Sequence, residues 1–254
     1  MKHTSMKQQL INRVDNKSNT YDYSDNYGLT VSYTSDKTGT FKINFHTEIV
    51  NMEQLTMGID ALEIAEKGDR VVISLQSCGG NVDAAGGFIQ AMHNCRAPIH
   101  VIASGGIHSA ATHILLEANS FELARNFNSL IHNGSMGVGG NLNEVFPMAK
   151  FNEKFLYSYY KDIYTGFLSD AEFESMWNGA QIWLDADGWM ERTENREAFF
   201  EAEMEKFNKA AEKLLQENDV PAEEIPKIIA ARLPAKKAPQ KTVPAKAAPK
   251  RKGK

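Results

Sequence analysis

The chain has 254 residues, of which 42% are hydrophobic and 24% charged, as in globular proteins that bury a core. No uncharged apolar run approaches the roughly 18 residues that cross a bilayer, so no membrane-spanning segment is predicted. The first residues lack the apolar stretch of a secretory signal. The two cysteines, Cys78 and Cys95, are too few for a disulfide framework. We therefore expect a cytoplasmic protein with two free thiols.

The net charge of -4 is distributed unevenly along the chain. Residues 235–254 hold eight Lys and Arg and no acidic residue, which leaves a net charge of -12 over residues 1–234. Proline recurs every five residues near the end, and Pro-Ala-Lys composition offers little to bury. We predict a disordered basic tail over 221–254. It is interpreted as a solubilising or linker segment, and a sequence-blind contact with nucleic acid is the alternative.

The rest of the chain is predicted to comprise a flexible, polar N-terminal arm over 1–28 and a folded domain over 29–220. Apolar runs and helical periodicity alternate through the domain, which indicates an α/β fold of repeated βαβ units. In chain order, the predicted elements are a hairpin of strands at 29–33 and 41–45, a helix at 52–66, a strand at 70–77, a helix at 83–95, a strand at 99–103, a turn at Gly105–Gly106, a helix at 109–118, an extended segment at 121–131, an amphipathic helix at 142–165 and a charged helix at about 190–217.

Two glycine-containing segments follow predicted strands, at the sheet edge where α/β proteins bind ligands. The first is SCGGNV at 77–82, where paired glycines permit positive φ and let backbone N–H groups face a ligand oxygen. The second is SGGIHSAA at 104–111, which places Ser109 at the first turn of a helix beside N–H groups without helical partners. A serine there is most often only an N-cap. The position also suits a nucleophile whose product is an oxyanion.

A histidine closes the next apolar run, in the segment LIHNG at 130–134. Alone, His132 is most simply interpreted as a partly buried, hydrogen-bonded side chain. Because it follows Ser109 by one predicted strand, it is also a candidate base for the serine proton.

Taken in chain order and together with their flanking residues, these segments resemble the Clp protease proteolytic subunit family, the ClpP-like serine peptidases. The resemblance is carried by GG-x-V after a strand, G-x-x-x-S-A-A opening a helix, and Ile131–His132 near the end of the next strand. It runs from about residue 41 to residue 188 and includes Thr165–Gly166 and WLDA at 183–186. The match is closer to the divergent members found in phage genomes. It implies the ClpP/crotonase-like fold with a long handle-type helix, and a serine endopeptidase.

The resemblance also implies residue roles. Ser109 matches the nucleophile and His132 the general base, while the backbone N–H groups of Gly80 and Ala110 match the oxyanion hole. Gln181 stands where the family has an aspartate. An amide oxygen can still accept a hydrogen bond from the imidazole, but it supplies no charge, and losing that charge costs orders of magnitude in rate.

Three interpretations of Gln181 stay open at this point. The site works as a dyad assisted by Gln181, a nearby acid (Asp185 or Asp187) takes the role after a register change, or the protein is weak or inactive. Asp185 also matches a helix N-cap position, which aspartate fills well.

Other candidate sites are weaker. Ser135 lies in a Ser-Met-Gly sequence but opens no helix, and His108, His113 and His132 lack metal-site spacing. We therefore expect neither a cofactor nor a metal. The rivals to a peptidase are a crotonase-like acyl-CoA enzyme and a non-catalytic structural or scaffold protein. The expected partners are copies of this chain in a ring, with an AAA+ unfoldase, or capsid or scaffold proteins, as partner or substrate.

Overall fold

The computed structural model describes residues 20–24, 28–35, 39–218, 221 and 224–226. Most of the predicted arm and nearly all of the predicted basic tail lie outside the described residues. The chain divides into two compact units. The described part of the first unit covers 20–134, with the gaps given above, and 180–186; the second covers 135–179 and the described residues from 187 onwards.

The described residues form strands and helices that alternate through most of the first unit. The strands are β1 (Thr20–Ser24), β2 (Leu29–Ser35), β3 (Gly39–Phe45), β4 (Arg70–Ser77), β5 (Ile99–His108), β6 (Ser120–Leu123), β7 (Asn128–Ile131) and β8 (Ile182–Leu184). The helices are α1 (Met52–Ile64), α2 (Val82–Asn94), α3 (Ala110–Leu116), α4 (Leu142–Tyr164), α5 (Asp170–Trp177) and α6 (Ala186–Glu217). The predicted α/β class is confirmed, and the helix and strand bounds differ from the predictions by a few residues.

All the described strands belong to one mixed sheet in the order β1-β2-β3-β4-β5-β7-β8, with β6 also pairing with β5. The hairpin strands β1, β2 and β3 are antiparallel, β3 through β5 run parallel, and β5 pairs in parallel with both β6 and β7. The last pair, β7 and β8, is antiparallel. The sheet thus brings the carboxyl ends of β4, β5 and β7 to one edge.

One face of this sheet carries the core of the first unit. Alternate residues of β5, from Ile99 to Ile107, are buried, while those between them are half-exposed. Helices α1 and α2 pack closely, since a Cβ at Gly58 would lie only 2.8 Å from the Phe88 ring. Each large apolar side chain buried in this way contributes about 1.5–3 kcal/mol.

The predicted turn at Gly105–Gly106 is wrong, because β5 continues through it to His108. The pairing shifts between two registers: Leu75 pairs with Ala103, whereas Ser77 pairs with Ile107. Two extra residues of β5 are therefore accommodated as a bulge, and Gly105 adopts a φ of +65° that a side chain would disfavour. The bulge extends β5, so that Ser109, which follows this strand, lies beside β7.

Two other regions differ from the sequence predictions. Thr20–Ser24, which the sequence places in the predicted arm, form β1 and pair with Thr30–Thr34 of β2. The extended segment at 121–131 is two strands, β6 and β7, that both pair with β5 but at different positions along it. These strand pairings are short, and the residues that form them show no periodic pattern from which the pairing could be predicted.

The second unit is a set of helices with an aromatic core. Ser169 caps α5 through a reciprocal capping box with Glu172. The Arg192 guanidinium, together with the Ser169 groups, holds the pKa of Glu172 down at about 2. Trp189 is fully buried and packs on Phe167. Among the helices that the structure describes, none combines the length and apolar character that crossing a bilayer requires.

Candidate active site

The Gly79–Gly80 loop lies directly against Ser109. Gly79 has φ +86° and Gly80 φ +133°, a region that disfavours side chains. A Cβ at Gly79 would lie 2.4 Å from the His108 carbonyl oxygen, 2.7 Å from Ser109 Cβ and 2.9 Å from Ala110 N. Only glycine permits this approach, so the backbone of the loop reaches the serine.

Ser109 has an unusual backbone conformation. Its φ of 53° and ψ of -130° make it the one non-glycine residue with positive φ in the described part of the chain. Such conformations cost about 1–3 kcal/mol and cluster at functional sites. Its side chain makes no capping hydrogen bond, so the structure does not support the simple N-cap interpretation.

Two backbone amides, which directly follow Gly79 and Ser109 in the chain, have no acceptor among the described residues. Gly80 pairs with Ile49 in an isolated parallel bridge, in which the hydrogen bonds are made by Gly79 O and Asn81 N. The Gly80 N–H therefore points away from Ile49. Ala110 is the first residue of α3, so its N–H has no helical partner. Both amides can donate to a developing negative charge.

His132 is held near Ser109 by strand β7. The Ser109 N–H donates to the Leu130 carbonyl oxygen at 2.8 Å, and His132 follows Leu130 by two residues. Both Ser109 and His132 are half-buried. The structure thus brings the predicted nucleophile and base to the same strand end.

The register of β7 and β8 places Gln181 across from His132. Leu130 pairs with Trp183 and Ile131 with Ile182, so one further antiparallel step aligns His132 with Gln181. The exposed Gln181 side chain accepts a hydrogen bond at Oε1 from the Trp183 indole N–H, at 3.2 Å. Within the described structure, no hydrogen bond joins the side chains of Ser109, His132 and Gln181. Active-site hydrogen bonds are often long before substrate binds.

The two alternative acids occupy other places. Asp185 lies four residues beyond Gln181, toward the Asn128 end of β7, which is about 13 Å further along a strand. It directly precedes α6. Asp187 lies within the first turn of α6, in the second unit. A small register change does not bring Asp185 to His132.

A second group of side chains, to which the sequence patterns assign no role, consists of His108, Asn128 and Trp183. His108 Nε2 lies 2.9 Å from Asn128 Oδ1, and its ring meets the Trp183 ring edge-on with centroids 5.5 Å apart. These residues lie at alternate positions of three neighbouring strands, so only the strand registers bring them together. Trp183 connects this group to Gln181.

The structure also describes the surroundings of the remaining histidine and serine candidates. His113 is buried within α3, and desolvation lowers its pKa to about 3 against a smaller opposing effect of Glu117, so the ring stays neutral. Ser135 belongs to the second unit, in a segment without helix or strand. Nowhere in the described ranges do three His, Cys, Asp or Glu side chains form a group that could hold a metal ion.

A comparison of the chain with models of protein families finds a match. The Clp protease family model matches residues 40–157, which include the two glycines, Ser109, Ala110 and His132. Gln181 lies beyond the matched range. A comparison with curated proteins found no match. The match covers just under half of the chain and, together with the α/β sheet of βαβ units, supports a ClpP-like member of the Clp protease family.

Proposed function

We propose that the chain is a serine endopeptidase of the ClpP-like type. The observation that carries the proposal is the contact of the Gly79–Gly80 backbone with Ser109, a serine in a strained conformation tied to the strand that ends before His132. The match to the Clp protease family model adds support.

In the proposed reaction, Ser109 Oγ attacks the carbonyl carbon of a peptide bond while His132 takes the hydroxyl proton. The N–H groups of Gly80 and Ala110 donate to the oxyanion. His132 then protonates the leaving amine, and the C–N bond breaks to leave an acyl-serine. A water molecule, deprotonated by His132, hydrolyses the ester and restores the serine. Gln181 would orient the imidazole through its amide oxygen.

A covalent probe tests this assignment. A fluorophosphonate should label the intact protein once per chain, and digestion with mass spectrometry should place the adduct on Ser109, because the proposed amide donors of Gly80 and Ala110 adjoin this serine. The Ser135→Ala protein is the matched control and should label at the rate of the unchanged protein. A folded protein that takes up no probe, or takes it up on Ser135, would refute the proposal.

A non-catalytic protein that retains the fold is the second candidate. It is favoured by one observation: the side chain across from His132 is an amide whose oxygen already accepts the Trp183 N–H. A crotonase-like enzyme would use the same backbone donors without the serine. The absence of labelling favours these two alternatives.

We further propose that copies of the chain assemble into a ring, as Clp protease family members do. Helix α4 exposes large apolar side chains, and contiguous exposed apolar surface marks interaction sites. Phe146 and Phe151 are each 67% exposed, and the Phe151 and Phe155 rings stack 6.2 Å apart. The apolar residues exposed on α4 are Leu142, Phe146, Met148, Phe151 and Phe155. Substrate would come from an AAA+ unfoldase or be a capsid or scaffold protein.

Sedimentation velocity tests the assembly. The unchanged protein should sediment as an oligomer, and Phe151→Glu with Phe155→Glu should lower its mass at least twofold, because two charges would be buried in the contact. Lys150→Glu on the same helix is the control and should leave the oligomer unchanged. A monomeric unchanged protein at micromolar concentration would contradict the ring.

A further inference from the structure

We propose that Gln54 is a positioning residue for the oxyanion hole. Hydrogen bonds from its side chain hold the segment 47–50 in place. That segment in turn hydrogen-bonds to the Gly79–Gly80 loop and holds the loop next to Ser109. The inference rests on the proposed peptidase function, and its first two links are hydrogen bonds within the first unit.

The first link is the buried Gln54 side chain in the first turn of α1, which is 1% exposed. Its Nε2 donates to the Glu48 carbonyl oxygen at 2.7 Å and to Thr47 Oγ1 at 3.2 Å. Its Oε1 accepts from the Val50 N–H at 2.9 Å. Donation to a carbonyl and acceptance from an N–H fix the orientation of the amide, so one side chain holds the segment at three points.

The second link is Ile49, which lies inside that segment and is 1% exposed. Its N–H donates to the Gly79 carbonyl oxygen at 2.8 Å, and its carbonyl accepts from the Asn81 N–H at 2.7 Å. These two hydrogen bonds bracket Gly80 and set the direction of its peptide group. A Cβ at Gly80 would lie 2.2 Å from the Ile49 carbonyl oxygen, which shows how closely the segments approach.

The third link is the distance between the Gly80 N–H group and the oxyanion of the proposed reaction. An oxyanion-hole donor acts when it lies about 2.7–3.1 Å from the oxyanion, and removing one donor costs about 10²–10³ in kcat. A donor that is misdirected rather than removed should cost less. Without Gln54 the Ile49 segment keeps its hydrogen bonds to the loop but loses its anchor, so the Gly80 amide would fluctuate.

The Gln54→Met protein tests this, because methionine keeps the volume and length but makes none of the three hydrogen bonds. We expect kcat on a fluorogenic peptide to fall about 10- to 100-fold with KM within about threefold, because the oxyanion forms only after substrate binds. Binding of a peptide aldehyde, which forms a tetrahedral oxyanion on the serine, should weaken by a similar factor.

Two controls separate positioning from loss of stability. Gln90→Met makes the same substitution at an exposed glutamine that bonds Asn94 on α2, and it should change neither constant. Leu62→Ala removes a fully buried side chain two turns later on α1 and should lower the melting temperature without changing kcat at 25 °C. An equal fall in kcat in the Leu62→Ala protein would overturn the inference.

Hydrogen exchange gives a readout that is independent of activity. In the Gln54→Met protein, amide exchange should accelerate in residues 46–51 and in residues 78–82. In the Gln90→Met protein, exchange in both segments should stay unchanged. Unchanged exchange at 78–82 overturns the positioning role even if the unchanged protein hydrolyses peptides. An unchanged protein that lacks activity, while exchange responds as described, refutes the peptidase function and leaves the mechanical link from Gln54 to Gly80 standing.

Discussion

Replacing Ser109 with alanine should lower kcat for peptide hydrolysis by about 10⁴- to 10⁶-fold, because the proposed reaction has no other nucleophile positioned against the Gly80 and Ala110 amides. The substitution removes only an oxygen that makes no capping hydrogen bond. It also leaves the strained φ in place, so the fold should persist. Steady-state hydrolysis of a fluorogenic peptide at pH 7.5 measures the effect, and circular dichroism verifies the fold.

His132→Ala should cause a loss of similar size, and the double variant should be little worse than either single one, since the two residues act as a unit. Ser135→Ala is the matched control and should retain full activity. If the Ser109→Ala protein keeps its activity, the serine mechanism is wrong, and a crotonase-like reaction that uses only the backbone donors becomes the better interpretation.

Replacing Gln181 with glutamate should raise kcat/KM by about 10²-fold or more. Glutamate has the same length, and a carboxylate opposite the imidazole stabilises the imidazolium that forms in the transition state; losing such a charge costs about 10⁴ in a serine protease. One carboxylate oxygen can keep the Trp183 indole hydrogen bond while the other accepts from His132. Comparing kcat/KM of the two proteins on the same peptide measures the gain.

Two further variants make this result specific. Gln181→Glu combined with Trp183→Phe should lose about tenfold of the gain, because the indole N–H no longer fixes the carboxylate. Asp185→Asn and Asp187→Asn should each leave the rate unchanged. A loss of 10³-fold or more in either of these, with no gain from Gln181→Glu, would show that an aspartate already serves as the acid.

The sequence predicts the repeating elements well, because each βαβ unit is encoded locally by an apolar strand, a glycine turn and a periodic helix. The helices predicted at 52–66 and 83–95 appear as Met52–Ile64 and Val82–Asn94. The error at Gly105–Gly106 has a physical cause: a glycine pair inside a bulge and one inside a turn have the same local sequence, and only pairing with β4 distinguishes them.

For the proposed site, sequence patterns single out Ser109, His132 and the glycine pair as candidates, since each stands at the end of an apolar run. The sequence gives only a weak indication of the hydrogen bonds made by Gln54, since it is a polar residue on the otherwise apolar face of α1. The His108, Asn128 and Trp183 group had none, because its members lie on three strands whose registers depend on cross-strand pairing.

The amino-acid sequence by itself determined the α/β class and the resemblance to the Clp protease family, along with which side chains end the central strands, because these follow from local periodicity and from residues near one another in the chain. The tertiary structure decided how those residues are oriented. The backbone of Gly79 contacts Ser109, Ile49 brackets Gly80, and Gln181 lies across from His132 while its oxygen bonds Trp183. The first three of these relations join residues 30 to 49 positions apart, and such long-range contacts are fixed only when the whole sheet packs.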